Sequence, residues 1–292
     1  MTPEFELCTL NWETCGVRLT RRTALRALVA TGVGLITGPL AYGFAYERHR
    51  LRRVDHDLPM SGLPAALDGL RIGFITDIHH SATVGADDVA HAVELLRQAQ
   101  PDLVVLGGDY VTFGDRTYVD PVAELLAPLA DAPLGAFAVL GNHDSDREVF
   151  TALDRHRFQV LRDEHRRLTV RNESLDLVGI RFWTRRVDHL TKVLKGAGPH
   201  TILLAHDPRR LRQAAELNVP LVLSGHTHGG QVLIPGLRNA VKQDFPILSG
   251  FAREINTSLF VSRGVGTVYV PLRLNCPPEV AVLTLRTNPP SI

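Results

Sequence analysis

The strongest constraint in this chain is an abrupt change of residue type that recurs along it: short apolar runs stop at Asp, Asn or His. Leu70–Thr76 runs into Asp77-Ile78-His79, Leu103–Leu106 into Gly107-Gly108-Asp109, and Ala136–Leu140 into Gly141-Asn142-His143-Asp144. Thr201–Ala205 ends at His206, and Leu221–Ser224 is followed by Gly225-His226-Thr227-His228. Apolar runs this short, bounded by glycine and polar residues, read as buried strands. Helical patterns lie between them, at Asp87–Gln98, Val119–Ala130, Ser145–Arg155 and near Pro208–Glu216. Strands alternating with helices specify an α/β fold built in layers. Leu168–Val170 and Leu175–Ile180 read as a hairpin about Arg171–Ser174, and Gln231–Ile234, Leu259–Ser262 and Val280–Leu285 as further strands. The second half is therefore expected to be more antiparallel.

Along an extended chain, residues two apart face the same way. Asp77 and His79 can aim at one point while Ile78 turns into the core, and His226 and His228 repeat the arrangement. The glycines before Asp109 let backbone come close. Side chains at the carboxyl ends of several strands converge on the crevice where such sheets bind ligands. Taken singly, each residue has an ordinary reading: an isolated His is more often surface or satisfied core, and an Asp after Gly-Gly is a turn or cap. Asp77, His79, Asp109, Asn142, His206, His226 and His228 together, all placed directly after buried runs, read as metal ligands. His80 faces away by the same alternation and reads as a solvated loop residue.

The ordered set Asp77-x-His79, Gly108-Asp109, Gly141-Asn142-His143-Asp144, His206 and Gly225-His226-x-His228 resembles the calcineurin-like metallophosphoesterases over about Leu70 to Leu285. Gly229-Gly230-Gln231 and Arg273-Leu274-Asn275-Cys276-Pro277-Pro278-Glu279 resemble the membrane-associated bacterial branch. That branch includes twin-arginine-exported phosphoesterases and enzymes similar to UDP-2,3-diacylglucosamine pyrophosphatases. The resemblance implies a layered β-sandwich flanked by helices. It implies two divalent metal ions, one held by Asp77, His79 and His228 and the other by Asn142, His206 and His226, with Asp109 bridging them. Family members use Mn, Fe, Zn or Mg; mixed oxygen and nitrogen ligands favour Mn, Fe or Zn. His143 is implied to face the substrate as a catalytic residue rather than a ligand. Asp144 either orients that imidazole or caps the following helix.

The implied reaction is in-line attack on phosphorus by a hydroxide held between the metals. Two divalent ions against two carboxylates and one hydroxide leave a net positive site that attracts phosphate. His143 then stabilises the transition state or protonates the leaving oxygen. The segment between Gln231 and Leu259, with Arg238, Lys242, Asp244, Phe245 and Arg253, is either a substrate-facing loop or a plain surface connection. Arg273 and Glu279 are supporting or structural groups.

Ahead of this body lies a charge-free apolar stretch, Ala27–Ala45, with basic residues on both sides. Its length approaches the roughly 20 residues that span a bilayer. Arg21-Arg22 just before it resembles a twin-arginine export signal, with Ala24 at the commonly bulky position. Cleavage after Ala45 and retention as an anchor are both open. The expected division is a targeting or membrane segment, 1–53, and a metallophosphoesterase domain, 54–292.

Charge fits that division. The chain of 292 residues has a formal net charge of +1, but eight Lys/Arg against four acids lie at or before Arg53. The basic excess belongs to the head, and no basic tract interleaved with aromatics marks the body as a nucleic-acid binder. Cys8, Cys15 and Cys276 form no C-x-x-C pair, which removes a zinc ribbon or dithiol motif. Cys276 reads as a small core residue. The leading expectation is a phosphoesterase cleaving a phosphodiester or pyrophosphate in a membrane-associated, lipid-linked substrate, with export machinery and membrane as partners. The alternatives are a broad secreted phosphatase on soluble phosphomonoesters or nucleotides, and a non-catalytic binding module on the same fold.

Overall fold

A computed structural model describes residues 21–236 and 244–287. Cys8, Cys15, Arg238 and Lys242 lie outside the described residues. Contacts divide the chain into two units, Met1–Pro39 and Leu40–Ile292. The first contains most of helix α1 (Arg21–Ala45), a charge-poor helix carrying Pro39. It is the one helix among the described residues long and apolar enough to cross a membrane. Gly43 and Glu47 are buried within the second unit.

The second unit is a sandwich of two six-stranded sheets. Sheet one runs β1 (Arg52–Pro59), β12 (Glu279–Arg286), β2 (Arg71–Ile75), β3 (Leu103–Leu106), β4 (Ala136–Ala138) and β5 (Gln159–Val160). Sheet two runs β10 (Gly250–Glu254), β11 (Thr257–Val261), β9 (Leu221–Ser224), β8 (Thr201–Leu204), β7 (Glu173–Gly179) and β6 (Glu164–Val170).

Alternation explains why the central strands are apolar throughout. Ile72, Phe74, Leu103 and Val105 meet Ile202, Leu204, Leu221 and Leu223 between the sheets. Ile75, Val104 and Leu106 face outward onto α2 (Ala86–Ala99), α3 (Val119–Leu126) and α4 (Glu148–Arg155). Leu203 and Val222 face outward on the other side, toward α5 (Val187–Val193) and α6 (Leu211–Glu216). Both faces of each sheet are therefore covered, which an uninterrupted apolar strand requires. Antiparallel pairing in sheet two is confined to its edge hairpins, β6–β7 and β10–β11. The first of these turns on Arg171-Asn172, both at positive φ, as a two-residue hairpin loop demands. Gln231–Ile234 forms no strand; Val232 makes an isolated bridge to Leu274.

Candidate metal centre

The expected ligands all leave the carboxyl ends of central strands. Asp77 and His79 follow β2, Asp109 follows β3, Asn142 and His143 follow β4, His206 follows β8, and His226 and His228 follow β9. Both sheets thus contribute to one cluster. Asp77, His79 and His228 have ligand atoms within 4.8 Å of one another, as do Asp109, His206 and His226. His79 Nε2 and His228 Nε2 are 3.1 Å apart. His206 Nε2 lies 3.0 Å from Asp109 Oδ2 and 3.9 Å from Asp77 Oδ1, so the two carboxylates flank it.

The backbone reaches this arrangement by a route other than extended alternation. Asp77, His79, Asp109, His226 and His228 all have φ between 49° and 73°. Left-handed backbone costs a non-glycine residue roughly 1–2 kcal/mol, and such strain gathers at functional sites. Gly141 and Gly225 are required by close approach. A Cβ on Gly141 would collide with the Asp109 carboxylate, and one on Gly225 with that of Asp77.

Hydrogen bonds fix which ring atom faces the centre. His206 Nδ1 donates to the Gly107 carbonyl at 2.8 Å, and His79 Nδ1 pairs with Thr112 Oγ1 at 3.2 Å, so both turn Nε2 inward. The Asp77 carboxylate accepts from Thr76 Oγ1 at 2.9 Å and from His226 N. Asn142 Oδ1 is buried without a hydrogen-bond partner, an arrangement that a bound cation would satisfy.

Charge tells the same story. Burial drives His79 to about 3 and His226 to about 4, and pushes His228 well below its ordinary value. These rings are neutral, the form that binds metal. Burial raises Asp77 to about 6. Burial also acts to lower His206, but the adjacent Asp109 carboxylate outweighs it and lifts the ring to about 10. Asp109 is held low in turn, against its burial, by His206. A proton on His206 therefore balances two buried carboxylates, the task a divalent cation would take over. The residues fit a dinuclear metal site.

Around this cluster Asp144 and His80 make contacts other than those expected, and Arg273 and Glu279 take supporting places. Asp144 neither touches the His143 ring nor caps α4. Its Oδ2 accepts from Asp109 N at 2.7 Å and Gly141 N at 2.8 Å, and its Oδ1 from Tyr110 N at 2.8 Å. Ser145 Oγ serves the start of α4 instead, accepting from Glu148 N at 3.1 Å. Asp144 thus braces the backbones of Asp109, Tyr110 and Gly141. His80 is buried, not solvated: its Nδ1 pairs with the Val84 carbonyl at 2.8 Å and its ring meets Tyr118 edge-on. Arg273 is fully buried, and its guanidinium donates to the carbonyls of Arg263, Gly264, Gly266 and Cys276. Gly266 N in turn donates to the Asp77 carbonyl, so Arg273 braces the loop that cradles Asp77. Glu279 accepts from Arg263 N on that same loop.

Aromatic residues without local sequence signals complete the site. Phe113 N donates to His143 Nδ1, and the Phe113 and Tyr269 rings both lie against the His143 ring. Phe182 packs on His206 and His226, and Phe245, from the Gln231–Leu259 segment, packs on His226.

The calcineurin-like phosphoesterase family matches residues 70–230, a span from β2 through the His226–His228 pair. The chain belongs to that family. Calcineurin-like phosphoesterases hydrolyse phosphoester bonds with metal ions, and this chain is such a hydrolase. It is 31% identical to phosphodiesterase YaeI of Escherichia coli over 91% of this chain and 99% of that one. It is 29% identical to metallophosphoesterase YkuE of Bacillus subtilis, covering 93% and 99%. A transmembrane protein with a metallophosphoesterase domain from Danio rerio is 32% identical over 86% of this chain and 61% of that one.

Proposed function

We propose that this phosphoesterase cleaves a phosphodiester or pyrophosphate bond in a lipid-linked substrate at a membrane, using two ions of Mn, Fe or Zn. Asp77, His79 and His228 hold one ion, and Asn142, His206 and His226 the other, with Asp109 between them. The observation that carries the reading is the position of Asp109: it belongs with His79 on one side and with His206 and His226 on the other. Divalent ions in such a site supply Lewis-acid activation of water and neutralise phosphate oxygens.

His143 is the proton-carrying group beside them. Its Nδ1 accepts from Phe113 N, so the neutral ring keeps its proton on Nε2. That N–H is the donor for a phosphoryl or leaving-group oxygen. Asp144 holds Asp109 in place through the backbone, and Arg273 holds the loop over Asp77.

Membrane attachment is supported by the apolar helix Arg21–Ala45 and by the Danio rerio relative described as transmembrane. In this reading residues 1–53 form a targeting segment whose Arg21-Arg22 pair addresses the twin-arginine export machinery, and residues 54–292 form the enzyme. The test is a substrate panel with metal-loaded full chain in detergent: bis(p-nitrophenyl) phosphate, p-nitrophenyl phosphate and a UDP-diacyl sugar, with metal content measured on the same sample. Preference for the lipid-linked compound and two ions per chain are expected. Preference for the monoester would overturn the lipid assignment.

A further inference from the structure

Resting on the lipid reading above, we infer that a cleft beside His143, walled by Phe113, Tyr269 and Val270, is the subsite for the apolar chains of a membrane phospholipid substrate. The cleft encloses about 360 Å³, and Thr112, Tyr118 and Pro271 also line it. Phe113, Tyr269 and Val270 are 66%, 78% and 55% exposed. Large apolar side chains gathered at the mouth of a pocket mark a binding surface. Phe113 and Tyr269 also sit at φ 51° and 62°, a backbone region bulky residues seldom adopt. Both rings are thus held outward at a cost to the fold.

Two observations select lipid chains over a nucleotide. The Phe113 and Tyr269 ring centroids are 5.5 Å apart, already at the separation of a contacting aromatic pair. No slot is left for a base to stack between them. The lining contains Asp115 but no Lys or Arg, so nothing in the cleft would attract a polyphosphate.

A third observation ties the cleft to the base of the apolar helix, inside the second unit. Tyr269 and Val270 lead directly to Arg273, whose N–H donates to the Gly43 carbonyl. Glu47 accepts from Asn275 N and Cys276 N at 3.1 and 2.7 Å. On the cleft's other wall, Arg48 donates to the carbonyl of Thr83 at 3.1 Å. The stretch of chain leaving α1 is therefore pinned to both sides of the cleft.

The experiment reconstitutes the metal-loaded full chain into dioleoylphosphatidylcholine vesicles. It measures kcat/KM for p-nitrophenyl dodecyl phosphate and p-nitrophenyl methyl phosphate. The wild type should favour the dodecyl probe at least tenfold. Tyr269→Ser with Val270→Ser should bring that ratio toward one, and Tyr269→Phe should keep it. A tenfold preference that survives in the double variant overturns the cleft assignment. A wild type that hydrolyses both probes equally overturns the lipid reading beneath it, and one that hydrolyses neither overturns the phosphodiester reading and the cleft assignment with it.

Discussion

The backbone N–H of Phe113 donates to His143 Nδ1 at 3.0 Å, and this bond, not a carboxylate, orients a ring that lies edge-on to His79. An amide donor enforces one neutral tautomer without adding negative charge beside the imidazole. Burial lowers His143 further from its ordinary value. Both effects favour the neutral ring with Nε2–H as its donor.

His143→Ala should keep both metal ions and lose about 10²–10⁴ in kcat, the usual share of a positioned proton donor. Metal content by plasma mass spectrometry, read beside turnover of bis(p-nitrophenyl) phosphate, checks it. Loss of metal from this variant would make His143 a ligand instead. Asp109→Asn provides the contrast: one substitution should empty both positions and abolish turnover.

Asp144→Asn should damage the site through its backbone. Three N–H groups converge on this carboxylate, so either orientation of an amide sets its NH2 against at least one of them. Leaving a buried donor unpaired costs about 1–3 kcal/mol. Thermal melting should show that loss together with reduced metal occupancy, while the pH profile of the remaining activity stays as in the wild type. A shifted profile at full stability would restore Asp144 to the role of imidazole partner.

The clustering of Asp77, His79, Asp109, His206, His226 and His228 was legible because each follows a buried apolar run, and a buried strand has to end somewhere polar. Strand β1 was not legible. Its sequence, Arg52-Arg53-Val54-Asp55-His56-Asp57-Leu58-Pro59, belongs to an edge strand paired with β12 alone, and with His56 between them Val54 and Leu58 make too short an alternation to show as a strand. Strand β10, at the edge of the other sheet, is half-exposed along its length. Alternation gave Asp77 and His79 a common side, but left-handed backbone delivers it. Phe113, Phe182 and Tyr269 carried no local signal, and the Arg273 motif carried no partner, since their contacts exist only after segments distant in sequence are brought together.

Arg273→Met tests the most deeply buried of these. The guanidinium meets carbonyls of Arg263, Gly264, Gly266 and Cys276 and has no carboxylate within hydrogen-bond reach. Removing it leaves the carbonyls of Arg263, Gly266 and Cys276 without that donor, while Gly264 keeps the Glu279 N–H, and each buried polar group left unpaired costs about 1–3 kcal/mol. Calorimetry should show a large fall in Tm. Arg273→Lys should rescue little, because an ammonium cannot span four carbonyls that a planar fork reaches. A Lys variant as stable as wild type would mean that charge, not geometry, is what this position supplies.

Asp207 gives the fold a defined acid limit, away from the ligand carboxylates. Burial acts to raise its pKa, but hydrogen bonds from Arg209 and Arg210 outweigh that and hold it at about 2. The carboxylate is 1% exposed, so solvent does little to screen the pair. A carboxyl whose folded value lies below its unfolded value of 3.8 stabilises the fold when ionised in both states. That stability is complete above about pH 4 and is lost as pH falls toward 2. The shift corresponds to about 2 kcal/mol. Urea unfolding of the wild type between pH 6 and pH 2.5 should show stability falling mainly below pH 4. Asp207→Asn should be less stable at pH 6 and should lose less of its remaining stability on acidification. Equal acid losses in the two proteins would remove Asp207 from the acid response and assign it to other carboxylates.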